Sequence, residues 1–500
     1  MEPFTKTNRE RLSYFTYKKI KPTFSVGFFL FKILKMKTKL YTSYKKVLAD
    51  MHTPVSIYLK LRDHYMGSIL LESSEYQSKE NSYSYICCNP ISTFKATHDA
   101  IDIINTKGDT TSIKNKNEVF VSELSKFITS FETNEIELPF CYNGVFGYTA
   151  YDSVEFAEEL TFNKDKKDDK SIPLVLFSVY EYVFVMDQYS NELHLIQNAT
   201  SDEKPDYSIL ELLNNTTPSK FPFSKIKNES SNFSDNEYEE IVKKGIAHCQ
   251  RGDVFQIVLS REFKQAFKGD DFNVYRALRM VNPSPYLFHF DYVNFKLFGS
   301  SPEAQLRINK NIAEIHPIAG TYKRTGYLEK DKELAEELLL DPKENAEHMM
   351  LVDLARNDLS RNTKEVRVEK LSEIQFYSHV IHMVSKVTGK LDEKSDNINV
   401  YYDSFPAGTL SGAPKYKAMT LIDQYENRKR SFYGGAIGYI GFNGDVNMAI
   451  MIRTFLSKNN HLMYQAGAGV VVNSNPTNER KEINNKIGAL RKAINIAEEI

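Results

Sequence analysis

Apolar and polar positions alternate with two different periods along this chain, and the change of period marks its parts. From Tyr41 to about Leu212, short apolar runs are broken by Gly, Asn and Ser. Leu174–Phe177 through Tyr182–Met186, followed by Leu193–Ile196, reads as antiparallel strands. Residues 164–170 read as a charged loop. Residues 214–234 are rich in Asn, Ser, Thr and Lys, carry Pro218 and Pro222, and read as a linker. A helical period begins next: Ser234 and Glu237 have capping-box spacing, and Gly252-Asp253 ends the helix. Val254–Phe263 then reads as a strand, with Phe255, Ile257 and Leu259 on one side and Gln256, Val258 and Ser260 on the other. Asp341-Pro342 predicts another helix start, Asp as N-cap and Pro at the first helical position. Asn443-Gly444 predicts a type I′ hairpin, joining a strand that ends at Phe442 to one running through Met448 to Thr454. A turn at Asn459-Asn460 leads to Leu462–Val472, setting Arg453 beside the Gly467/Gly469 strand. Asn475-Pro476 opens a last helix with an apolar stripe of Ile483, Ile487, Leu490, Ile494 and Ala497.

Near the starts of two of these helices stand Glu-x-x-Glu pairs, Glu344/Glu347 and Glu479/Glu482. Residues three apart share a helix face, so each pair offers two carboxylates in one direction. Such oxygen donors suit a hard cation, Mg²⁺ before Zn²⁺. Glu344 falls at the third helical position, where it either closes a capping box or serves a site. Glu347 lies one turn deeper, a site carboxylate or a solvated charge. Glu479, Glu482 and Lys486 edge the buried stripe of the last helix. Small-residue segments accompany the pairs: Pro317–Thr321, Gly408–Lys415 and Gln465–Gly469. Together they predict a metal and exposed backbone amides holding a small polyanion.

Composition narrows the picture. Five hundred residues allow a large core, and 41% hydrophobic with 26% charged content is ordinary for a globular protein. A net charge of -1 argues against a nucleic-acid surface. Cys87, Cys88, Cys141 and Cys249 form neither a disulfide framework nor a zinc pattern, which predicts a reducing cytoplasm. Residues 1–35 are basic and aromatic. Their apolar run Phe24–Phe31 is too short to span a bilayer and lacks a signal cleavage site, so a disordered leader outside the fold is expected, with a membrane-surface anchor as the alternative.

From Tyr41 to the C-terminus the chain resembles the chorismate-utilising enzymes, and among them anthranilate synthase component I. The segments that carry the likeness are Pro317–Thr321, Glu347–Asp358, Ser378–Ser385, Gly408–Lys415 and Gln465–Val471, in the family's order. The resemblance implies an α+β fold of large antiparallel sheets sandwiched with helices. It implies a regulatory region over 36–213 and a chorismate-binding catalytic region over 235–500. Glu347 and Glu482 match Mg²⁺ ligands, with Glu479 and Glu344 beside them. Gly467 and Gly469 match backbone donors to a substrate carboxylate, within a substrate site that also takes in Gly320. Arg453 and Tyr433 match the grip on the enolpyruvyl carboxylate, and Thr409 and Lys486 match further substrate contacts. His382 matches the proton-transfer histidine, and His382 or Glu344 would supply the acid for hydroxyl loss. As plain core groups, His316, His348, His379 and His382 have ordinary alternatives.

The resemblance also points to one reaction. Water-adding relatives carry a lysine base where this chain has Gln256, so ammonia is the expected nucleophile. Many relatives of the folate branch carry lysine where this chain has Ala319. Anthranilate formation is therefore expected, with aminodeoxychorismate formation or a non-catalytic tryptophan-sensing paralogue as alternatives. No Gly-x-Cys-x-Gly nucleophile motif surrounds any cysteine, so a partner glutamine amidotransferase in a hetero-oligomer is implied. Glu72-Ser73 and Pro283-Ser284-Pro285-Tyr286 resemble a feedback site for L-tryptophan. The chain itself has 30 Tyr and 32 Phe but no Trp, either by compositional chance or because it is made when tryptophan is scarce.

Overall fold

The computed structural model describes residues 37–73, 83–377, 380–392 and 395–500. The expected leader and the residues Ser378 and His379 lie outside the described residues. Helices start where the sequence supplies a cap. Ser234 and Glu237 form a reciprocal capping box for Asp235–Arg251, which ends at left-handed Gly252. Asp341 accepts from the Lys343 and Glu344 N–H groups at the start of Pro342–Ser360. Asn475 accepts from Asn478 N–H at the start of Pro476–Ala497, whose expected apolar stripe is buried.

Four strand details differ from expectation. Within the expected linker, Phe223–Ser231 is a strand, paired antiparallel with Gln256–Gly269. Its side chains are mostly exposed and polar, which hides it; backbone pairing, buried Phe223 and the Glu229–Arg491 pair hold it. At Asn443-Gly444 only Gly444 has positive φ, and Gly444 N–H donates to Gly441 O (3.0 Å). The turn is therefore type I closed by a left-handed glycine. The type I′ turn stands instead at Asn459-Asn460, φ 50° and 56°. The strand expected to reach Thr454 divides into Val446–Ile450 and Thr454–Lys458, and Arg453 in the break takes φ 49°. Phe255 precedes its strand and is exposed, whereas Ile257 and Leu259 share a buried face as expected.

Among the described residues, the named strands pair antiparallel apart from one short parallel pair, Thr38–Leu48 with Phe131–Thr133. From the Phe223–Ser231 edge the ladder runs through Gln256–Gly269, His461–Val470, Thr454–Lys458, Lys296–Ser301 and Tyr286–Asp291. Tyr286–Asp291 then pairs with Ile69–Glu72, and Gly144–Thr149 pairs with Ala436–Gly441, so strands from both sequence halves share the sheet. One core gathers Phe94, Phe146, Phe288, Leu306 and Met448. A second sets Ile257, Leu259, Phe298 and Tyr464 against the helices Pro54–Arg62, Asp235–Arg251, Phe272–Val281 and Pro476–Ala497. Successive Cys87 and Cys88 fall one in each core, so the sheet is covered on both faces. The fold is α+β, a large antiparallel sheet sandwiched with helices. No described helix is long and apolar enough to cross a membrane.

Candidate functional site

The two capped helices bring the glutamates of their first two turns together. Burial is the first cause that raises the Glu344, Glu347 and Glu479 carboxyls above their ordinary range, and the negative charge of Glu482 adds to each. Lys343 and Lys486 oppose the shift at Glu347 and Glu479. Glu344 is not a capping-box partner. The Asp341 N–H goes to Leu338 O (3.4 Å), and Glu344 Oε2 stands 3.4 Å from where a Cβ on Gly320 would lie. Among the described residues, no three acidic, imidazole or thiol groups form a ready-made metal cage. The donor set still fits Mg²⁺, which commonly takes one or two protein carboxylates and fills its shell with water and substrate. A dication would also relieve the mutual repulsion of these carboxylates.

Gly320 has a second part. The register between Ile318–Lys323 and Val380–Lys390 slips between Ala319 and Thr321, so Gly320 (φ 70°) is the bulged residue. Its carbonyl meets His382 Nδ1 at 3.3 Å. A carbonyl only accepts, so Nδ1 carries the proton and Nε2 is the acceptor of this imidazole. Burial first, and then the Arg453 charge, lowers His382 to about 4; the ring is neutral at physiological pH.

Opposite the carboxylates runs His461–Val470. Its neighbour Thr454–Lys458 pairs only as far as Phe455↔Tyr464, which leaves Gln465–Val470 with one unpaired edge. The Gly467 carbonyl accepts from Lys486 Nζ (2.9 Å), and its backbone meets the Tyr433 hydroxyl. Residues two apart present the same edge, so Gly467 and Gly469 both aim their amides there. Lys486 also reaches Glu482 Oε1 at 2.7 Å and joins the two sides. A Cβ on Gly469 would lie 2.4 Å from Gln256 Nε2 and 3.8 Å from Glu347 Oε1. Gln256 is buried, and no protein donor reaches its Oε1.

The sequence reading missed Glu303. It sits in the bend between Lys296–Ser301 and Ala304–Asn309, where no periodicity singles it out. Thr409 Oγ1 donates to it at 3.1 Å, and Arg453 counters it electrostatically. Burial dominates and pushes its carboxyl up to about 8. Of the other histidines, His348 is fully buried and bonds Ser385 Oγ (2.6 Å), while His316 pairs with Glu314.

The segments likened to a feedback site also meet. The register Leu287↔Glu72 sets Glu72-Ser73 beside Pro283, Ser284, Pro285 and Tyr286. Glu72 is buried and accepts from Tyr275 OH (2.5 Å) and Arg279 Nε (3.1 Å). Burial raises its carboxyl against the pull of Arg279. Ser284, also buried, lies 3.2 Å from Asn282 Nδ2.

Residues 69–492 match the model of the chorismate binding enzyme family. Anthranilate synthase component 1 of Aquifex aeolicus is 40% identical over 480 residues, 91% of this chain and 95% of that protein. The protein of that name from Acetivibrio thermocellus is 37% identical, over 91% and 95%. The crystal structure of anthranilate synthase component I from Streptococcus pneumoniae TIGR4 superposes with a TM-score of 0.72 at 31% identity, over 89% of this chain and 99% of that one.

Proposed function

The chain belongs to the chorismate-binding enzymes, on their anthranilate synthase component 1 branch, and from that premise we propose that it converts chorismate and ammonia to anthranilate and pyruvate for tryptophan biosynthesis. The observation that carries the reading is the carboxylate group close to the Gly469 strand edge, with buried Gln256, which cannot deprotonate water, against the same glycine. Buried Ala319 offers no amine for the aminodeoxychorismate alternative.

The residues divide the work by their protonation. Arg453 and Tyr433 hold the enolpyruvyl carboxylate, the guanidinium supplying a planar pair of donors. The Gly467 and Gly469 amides bind substrate carboxylate without a side chain in the way. Glu347 and Glu482, with Glu479 beside them, would hold Mg²⁺, which when bound neutralises and orients the ring carboxylate. Ammonia then adds to the ring carbon beside that carboxylate as the ring hydroxyl departs. The departing oxygen needs a proton, and Glu303, up to about 8, keeps one at neutral pH. His382 at about 4 has none to give, so it is no longer a candidate for that acid. Its Nε2, fixed by the Nδ1–Gly320 contact, is instead suited to take the ring proton as pyruvate leaves and the ring aromatises.

Ammonia comes from a partner glutamine amidotransferase. Burial pushes the thiols of Cys87, Cys88, Cys141 and Cys249 up, Cys141 to about 12, so none is a ready nucleophile for glutamine. Four free cysteines support a reducing, cytoplasmic setting. L-Tryptophan binds at Glu72, Ser73 and the 283–286 turn and inhibits by favouring one placement of the two strands that meet there. The test is nucleophile supply. The purified chain with chorismate and Mg²⁺ should turn over with an ammonium salt and not with glutamine until an amidotransferase is added. Turnover of glutamine by the chain alone would overturn the partner, and full activity in excess EDTA would overturn the metal.

A further inference from the structure

Behind Glu303 lies a cavity of ≈ 30 Å³, lined among others by Glu303, Gln305, Leu354, Asp358, Ser404 and Thr409. A pocket of that size takes about one or two molecules the size of water. Most side-chain donors at hand are already engaged. Gln305 Nε2 donates to Ser404 O (2.9 Å), and Lys415 Nζ donates to Asp358 Oδ2 (2.8 Å) and Ser404 O (3.1 Å). Ser404 Oγ donates to Tyr401 O (2.9 Å), and Thr409 donates to Glu303. Two acceptors remain with no protein donor, Gln305 Oε1 and Asp358 Oδ1. Both residues are almost fully buried, at 2% and 5% exposure. An unsatisfied acceptor at such depth is costly, so the cavity calls for a small molecule rich in hydrogens. It does not call for a cation, because Lys415 already pairs with Asp358, and Arg453 stands against Glu303. Neutral ammonia meets these demands: it has three N–H donors for the acceptors and one lone pair.

We infer that this cavity is a holding site for ammonia, with Gln305 and Asp358 as its anchors and Glu303 and Thr409 as its wall toward the substrate. The inference rests on ammonia being the nucleophile. It is tested in the full chain by measuring KM for ammonium and for chorismate separately, in wild type, Gln305→Met and Asp358→Asn. The first variant deletes the Gln305 acceptor at similar volume, together with the Nε2 donor to Ser404 O. The second keeps the shape and a partner for Lys415 but removes the carboxylate. Each should raise KM for ammonium roughly five- to tenfold, the weight of one lost hydrogen bond, and leave KM for chorismate unchanged. An unchanged KM for ammonium in both variants would overturn the site in favour of a structural water. So would a parallel rise in both constants. Failure of the underlying reading is distinguishable, because wild type itself would then form no aminated product.

Discussion

Replacing Gly469 by alanine adds one methyl group to the strand edge that faces the carboxylates. The new Cβ lies 2.4 Å from Gln256 Nε2, whereas ordinary contact begins at 3.4 Å, so the amide must recede by about 1 Å. The obstacle is the end of a flexible side chain, and Gly469 does not occupy the left-handed region. The fold should therefore lose less than about 1 kcal/mol. The site is less tolerant, because a shift of about 1 Å in positioned groups costs on the order of a hundredfold in rate. Gly147→Ala is the contrasting control. Its Cβ would stand 1.9 Å from the Leu176 carbonyl oxygen, a backbone atom of the paired strand, and folding should suffer before any question of activity arises. Anthranilate fluorescence with saturating ammonium gives kcat/KM for chorismate, and urea unfolding gives stability. For Gly469→Ala a fall of roughly a hundredfold with a near-native midpoint is expected. A wild-type kcat/KM would remove this strand edge from the site. A collapsed midpoint would show that the glycine serves packing instead.

Three further outcomes follow from the site's protonation and the sheet's seams. Glu303→Gln should abolish most turnover and remove the alkaline fall of kcat. In wild type the required acid loses its proton as pH rises through about 8, and the same group's raised carboxyl favours the folded state at acid pH and loses that contribution between the ordinary range and about 8. A retained alkaline limb in the variant would assign it to another group. His382→Met should leave amination in place and let the amino adduct accumulate, seen by chromatography of the quenched reaction; normal anthranilate yield would reduce His382 to a packing role. Ser73→Phe should abolish calorimetric tryptophan binding while ammonium-dependent turnover stays near wild type, and full inhibition of that variant would place the effector elsewhere.

Much of this was legible in the chain because local chemistry decided it. Ser234, Asp341 and Asn475 cap helices by their own side chains, and the stripe from Ile483 to Ala497 needs no tertiary information. The helix starts in turn placed all four site glutamates. The edge strand Phe223–Ser231 was not legible, because its side chains are mostly polar and exposed and its side-chain partners, such as Arg491 for Glu229, are remote in sequence. The type I′ turn expected at Asn443-Gly444 did not form there, because loop length and flanking register, not the dipeptide alone, select the turn. Glu303 could not be found from spacing. Its character comes from burial and from Thr409 and Arg453, both remote in sequence. The protonation of His382 was hidden for the same reason, since depth and the contact with the Gly320 carbonyl set it.

Ammonia, and not water, is proposed to enter the ring of chorismate, and the ring then aromatises. Mass spectrometry of the product formed by the purified chain from chorismate, Mg²⁺ and ¹⁵N-ammonium in ¹⁸O-water tests it most directly. The expected product is ¹⁵N-labelled anthranilate with equimolar pyruvate and no ¹⁸O on the ring. An ¹⁸O-labelled isochorismate or salicylate, or a ¹⁵N-labelled aminodeoxychorismate that keeps its enolpyruvyl group, would contradict it.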